Sequence, residues 1–223
     1  MNTVIAIAPH PDDETYGCGG TLIRHRELGD TIHWLIITSM SEASGYSQEK
    51  IIKRVSEIDQ VTQMYDFKSV HKLNFPPAQL DRIPLQEIVT AIGNIFHQIK
   101  PNYVYVPYRG DVHTDHRVVF DAVTACTKWF RFESIKKILA YETLSETDFN
   151  INPNVMAFAP NSYVNINSYL DKKIAIAHSY ESEYGEFPFP RSEKALRSLA
   201  HYRGSLSGFQ AAEAFMLLRE RCE

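Results

Sequence analysis

Three short runs, Thr3–Ala8 (TVIAIA), Thr31–Thr38 (TIHWLIIT) and Tyr103–Pro107 (YVYVP), are rich in β-branched and aromatic residues and are apolar almost without a break. A strand that is apolar on both faces must be covered on both, which is the condition of a parallel sheet held between helical layers. The intervening segments supply helices. Residues 19–28 have helix-forming character and close at Gly29, a suitable C-cap. Ile51, Val55, Ile58, Val61 and Tyr65 recur at helical spacing, and Leu85, Ile88, Val89, Ile92, Ile95, Phe96 and Ile99 form the clearest amphipathic stripe. A further helix after the YVYVP run carries Val119, Ala122, Val123, Cys126 and Phe130 on one side. Strand and helix in alternation imply βαβ units with right-handed crossovers. The expected class is α/β: a Rossmann-like three-layer sandwich with a mostly parallel sheet.

The last third is less regular. Strands are expected near 138–142 and 162–166, and helices near 168–183, 192–202 and 208–219. With no internal repeat, low-complexity tract or linker, residues 1–223 read as a single domain.

Composition excludes several classes. A formal net charge of −4 and the absence of any Lys/Arg block argue against a nucleic-acid partner. The longest apolar runs are strand-sized, so no membrane span is expected. The chain enters its first apolar run without a charged leader, and Cys18, Cys126 and Cys222 are too few and too scattered for a disulfide framework or a thiolate zinc site. A reducing cytoplasm is the expected compartment.

The first run ends abruptly in PHPDDE, where His10, Asp12, Asp13 and Glu14 stand within five residues. Such carboxylates repel one another and resist desolvation unless a positive partner sits among them. In an open parallel sheet this position is the carboxyl edge, where ligands bind. His and Asp together suit a divalent ion such as zinc, although the same residues also serve as turn and cap residues. The glycines of Gly17-Cys18-Gly19-Gly20 lack dinucleotide-fingerprint spacing, and carboxylates before them would repel a pyrophosphate. They read as glycines of a tight strand-to-helix turn.

A second cluster, GDVHTDHR (residues 110–117), follows the YVYVP strand and opens the next helix. His113 and His116, three apart, can face one cavity from a first helical turn. Two such clusters at two strand ends can converge on one metal, and three protein ligands with an open position is the pattern of catalytic zinc.

PHPDDE with a later HTDH closely resembles the PIG-L, or LmbE-like, family of zinc-dependent de-N-acetylases. ETLSETDF, HSYESE, FPRS, HYRGSLSG and AAEAF resemble later blocks of a bacterial subgroup. The resemblance implies removal of acetyl from an N-acetylated amino sugar or its glycoconjugate. It implies His10, Asp13 and His116 as metal ligands and Asp12 as general base. It further implies His113 as oxyanion stabiliser, positive or hydrogen-bonding, with Asp115 orienting or tuning it. The chemistry agrees: one carboxylate must ligate while its neighbour stays free to take a proton from water. Either Asp12 or His113 could protonate the departing amine. Glu14 is assigned a supporting role.

Arg54, in an R-x-x-E pair with Glu57, is a candidate for sugar hydroxyls or a phosphate, or a solvated helix ion pair. Arg191 and Arg203 are candidates for anionic substrate groups. Asp111 stands where some relatives place an aromatic oxyanion helper and is counted with the substrate-binding candidates. Zinc is the expected ion, with Fe²⁺ or Co²⁺ as alternatives. A small-molecule amino-sugar conjugate is the expected partner, and a homo-oligomer is compatible with the resemblance. Two rivals remain. One is a metal-dependent amidase acting on a non-sugar N-acyl substrate; the other is a non-catalytic Rossmann-like sugar- or nucleotide-binding protein.

Overall fold

The computed structural model describes residues 1–222. Seven strands, β1 (Thr3–Ala8), β2 (Thr31–Thr38), β3 (Ser69–Phe75), β4 (Tyr103–Pro107), β5 (Lys137–Tyr141), β6 (Ser162–Asn165) and β7 (Ala212–Glu220), form one sheet in the order β3-β2-β1-β4-β5-β7-β6. Only β7 runs against the others, pairing antiparallel with β5 and β6. The helices are α1 (Asp13–Glu27), α2 (Gln48–Tyr65), α3 (Leu85–Ile99), α4 (Thr114–Ala125), α5 (Leu170–Ala177) and α6 (Glu193–Ser205).

The period of two along the central strands divides the core. Val4, Ala6, Ala8, Ile32, Trp34 and Ile36 meet Leu22 of α1 and Ile58 and Val61 of α2. Ile5, Ile7, Leu35 and Val104 meet Ile88, Ile92 and Phe96 of α3 and Val119 and Val123 of α4. Both faces are covered, as the continuous apolar runs require. The sheet order reverses between β1 and β4, the switch point where an open α/β sheet leaves a crevice beyond its carboxyl edge. No described helix is long and apolar enough to cross a membrane.

Four elements depart from the sequence expectation. The segment 208–219, rich in Ala, Met and Leu, was expected as a helix; it is the strand β7, because the gap between β5 and β6 offers its backbone ladder partners on both sides. β3 was not anticipated, being an edge strand whose polar residues blur the alternation. α5 ends at Ala177, short of the expected boundary near 183. α1 starts at Asp13, six residues before the expected start, and is interrupted at Cys18 (φ −139°, ψ 19°).

The interruption has dedicated partners. Lys173 Nζ donates to the freed carbonyl of Tyr16 (2.9 Å), while Glu213 of β7 accepts the amides of Gly20 (2.9 Å) and Thr21 (2.7 Å). The two side chains also pair with each other at 2.7 Å. Glycine is needed here for close approach: a Cβ on Gly17 would strike the Tyr141 ring, and one on Gly20 would lie 2.8 Å from Ile166.

Candidate active site

β1 and β4 are neighbours in the sheet, so PHPDDE and GDVHTDHR leave the same edge side by side. His10, Asp13 and His116 each offer a ligand atom within 4.8 Å of the others. His10 Nδ1 lies 3.4 Å and His116 Nε2 3.3 Å from Asp13 Oδ2. Asp13 Oδ1 and His116 Nε2 are buried without a hydrogen-bond partner. Burial lowers the pKa of both imidazoles, but neighbouring carboxylates outweigh it: Asp115 and Asp13 raise His10 to about 9, and Asp13 and Asp111 hold His116 well above the ordinary range. A cluster that draws a cation so strongly fits a divalent ion bound through nitrogen and oxygen.

His10, His113 and Asp115 also lie within that span. Their acceptors, however, are occupied. Asp115 accepts His10 Nε2 (3.0 Å) and the amides of Ala78 (2.7 Å) and Leu80 (3.1 Å), and His113 Nδ1 accepts the Asp115 amide (3.1 Å). The orphaned atoms belong to the first set.

Outer partners set the tautomers. Asp115 takes the Nε2 proton of His10 and leaves Nδ1 for a metal; Asp111 takes the Nδ1 proton of His116 at 2.7 Å and leaves Nε2. The Asp115 carboxylate is pinned beside His10 by two backbone amides, and Asp115 meets His113 through its own backbone amide. Asp111 is buried behind His116, accepting also from the Thr147 hydroxyl at 2.6 Å, and is not among the residues lining the cavity over the site.

Asp12 does not join the ligand set. Its Oδ2 accepts from Arg191 Nη1 at 2.8 Å. Burial pushes its carboxyl up to about 7, with Arg191 pulling the other way. Its backbone has φ 136° and ψ −29°. For a non-glycine residue such a conformation costs of order 1–3 kcal/mol and persists only where the surroundings enforce it. His113 caps α4, and its ring stands 4.5 Å from that of His10. Because Nδ1 accepts from the backbone, its proton resides on Nε2. Burial together with the neighbouring imidazoles lowers its pKa to about 4, leaving a neutral donor at pH 7.

A cavity of about 460 Å³ opens over these groups, lined by His10, Asp12, His113, Arg54 and Arg191. Met40, Tyr46, Ile51 and Val55 give it an apolar wall, and Lys72 and Asn74 of β3 stand at another side. Arg54 is buried and held by Glu57 (3.1 Å) and Glu183 (2.6 Å). Arg203 lies outside the cavity, where its Nε and Nη2 donate to the two oxygens of Glu142. It is therefore unavailable to a substrate there.

Sequence reading missed Glu146 and Glu183, which line the cavity and pair with Arg191 at 3.2 and 3.5 Å. The signal existed, since they lie in ETLSETDF and HSYESE. Lys72 and Asn74 were missed with β3 itself.

A family model described as PIG-L, GlcNAc-PI de-N-acetylase, matches residues 5–127. The chain is 28% identical over 230 residues to the diacetylchitobiose deacetylase of Thermococcus kodakarensis, covering 96% of this chain and 82% of that one. A solved conserved protein from Thermus thermophilus matches at TM-score 0.78 and 25% identity, covering 100% of this chain and 97% of that one. The N,N′-diacetylchitobiose deacetylase from Pyrococcus horikoshii matches at TM-score 0.79 and 19% identity, covering 98% and 84%; that likeness is one of fold.

Proposed function

The chain belongs to the PIG-L family, and from that premise we propose that it is a metal-dependent hydrolase removing acetyl from an N-acetylated amino sugar, free or within a glycoconjugate. The observation that carries the proposal is the division of labour between neighbours. Asp13 sets Oδ2 beside two imidazoles and leaves Oδ1 without a partner, while Asp12 lies outside that set and lines the cavity with His10. His10 Nδ1, the Asp13 carboxylate and His116 Nε2 would hold the ion. Zinc suits that donor set best, and Fe²⁺ or Co²⁺ also accept it. A divalent ion there supplies Lewis acidity, which brings the ionisation of water toward neutral pH and polarises the acetamide carbonyl.

The chain's own residues then have distinct tasks. Asp12, with its pKa near 7, takes the proton of the attacking water and can return it to the departing amine. Arg191 keeps that carboxylate aimed at the cavity. His113 donates from Nε2 to the oxygen on which charge develops. The sugar occupies the cavity between the apolar wall and the charged floor.

Acetate release from N,N′-diacetylchitobiose, measured beside simple N-acetyl amides and alongside metal analysis, tests the reading. Turnover of the sugar in a chain carrying about one metal ion, with the simple amides hydrolysed far more slowly, is expected. Preference for the simple amides would favour the non-sugar amidase. Metal binding without turnover of either class would favour a binding protein.

A further inference from the structure

We propose that Glu14 and Arg54 are positioning residues for Asp12, gripping opposite ends of the one peptide group that joins Pro11 to Asp12. The proposal rests on the reading of Asp12 as the base. Glu14 Oε2 accepts the Asp12 amide at 3.1 Å, and Arg54 Nη1 donates to the Pro11 carbonyl at 2.7 Å. Those two atoms belong to the same trans peptide and point in opposite directions. Turning that plane changes ψ of Pro11 and φ of Asp12 together. Holding both ends therefore fixes the angle that is strained, 136° at Asp12.

Each jaw is itself immobilised. Glu14 is fully buried on α1, and its other oxygen accepts the hydroxyls of Thr15 (2.6 Å) and Tyr180 (2.7 Å). Tyr65 steadies Thr15 in turn at 3.1 Å. Arg54, buried on α2, donates from Nη2 to Ser182 (2.9 Å) and Glu183 (2.6 Å), and its Nε stands in ion-pair range of Glu57. Two buried polar side chains, brought from different helices onto opposite ends of one peptide, resist its rotation in both senses. Satisfying one amide and one carbonyl does not by itself require two polar side chains anchored on different helices. Aim does: a misplacement of about 1 Å at a reacting group can cost about 10²-fold in rate.

The test is a double-mutant cycle on the zinc-loaded chain, with N,N′-diacetylchitobiose as substrate and bound zinc and thermal melting measured for each variant. Glu14→Ala is expected to lower kcat by about 10–10²-fold while KM and bound zinc stay at wild-type values. Glu14→Gln keeps an oxygen for the Asp12 amide and is expected to retain most of kcat. In an Asp12→Asn background, Glu14→Ala should cost less than about twofold, because the group it aims is already gone. Equal losses in both backgrounds, or zinc falling in step with kcat, overturn the proposal. Should Glu14→Ala not fold, Arg54→Lys perturbs the carbonyl end, since a single ammonium nitrogen replaces the separate Nη1 and Nη2 that reach Pro11 and Glu183. Its loss of kcat must likewise vanish in Asp12→Asn, and an equal loss there overturns the clamp. Wild-type kcat in Asp12→Asn alone would instead overturn the functional reading beneath it.

Discussion

Asp12 and Asp13 carry the same side chain on adjacent residues, and their surroundings separate them. Burial raises both. His116 and His10 then pull Asp13 well below the usual carboxylate range, whereas Arg191 offsets burial only in part and leaves Asp12 near 7. One stays ionised for a cation and the other exchanges a proton near neutrality, the pattern of paired carboxylates with two roles. His113 is the third member whose role depends on its setting. Held at about 4, it is protonated only below that pH. It therefore contributes no basic limb to kcat/KM and acts as a neutral donor. His113→Ala is expected to lower kcat by about 10²–10³-fold with bound metal unchanged. Steady-state kinetics with metal analysis decide: loss of metal, with activity partly restored by added zinc, would make His113 a ligand instead. The residue types of this cluster were legible because so many adjacent charges call for a positive partner among them. Which carboxylate touches which imidazole was not, since Asp115 lies only two residues from His113 in sequence but its side chain bonds His10.

At the scale of elements, the break in α1 is the informative feature. Sequence reading began a helix at Gly19, and that is where helical geometry resumes after Cys18. The turn before it was legible only as polar punctuation, because its helical partners come from elsewhere: Lys173 on α5 and Glu213 on β7. β7 was misread for a related reason. Local propensity favours helix in 208–219, and a ladder partner on each side overrides it. These dependencies make a stability prediction. Glu213→Ala leaves the Lys173 ammonium and two backbone amides buried without their acceptor, which should cost about 3–5 kcal/mol. Urea unfolding measures it, and the double substitution with Lys173→Met should recover part of the loss. A cost below about 1 kcal/mol would mean that water replaces Glu213 at the break.

For the whole molecule, alternation of apolar runs with helical stripes made the parallel sheet legible. The convergence of two motifs about a hundred residues apart follows from the β1–β4 adjacency, which no local pattern encodes. That convergence joins folding to metal binding. Asp13 and His116 are held together by distant parts of the chain, so an ion bound to both favours the folded state over the unfolded one. At an ion concentration about a thousand times its Kd the added stability is about 4 kcal/mol. For a chain of this size that corresponds to roughly 8–16 °C in Tm. Chelation of the loaded chain should therefore lower Tm by that order at pH 7.5. The difference should shrink as pH falls, because His10 and His116 bind protons in competition with the ion. Asp12→Asn should keep the full chelation shift, since Asp12 lies outside the ligand set, whereas His116→Ala should abolish it. Differential scanning calorimetry reads all of this without substrate. An unchanged Tm on chelation, or a full shift retained in His116→Ala, would remove the His10, Asp13 and His116 set from metal binding, and loss of the shift in Asp12→Asn would place Asp12 among the ligands.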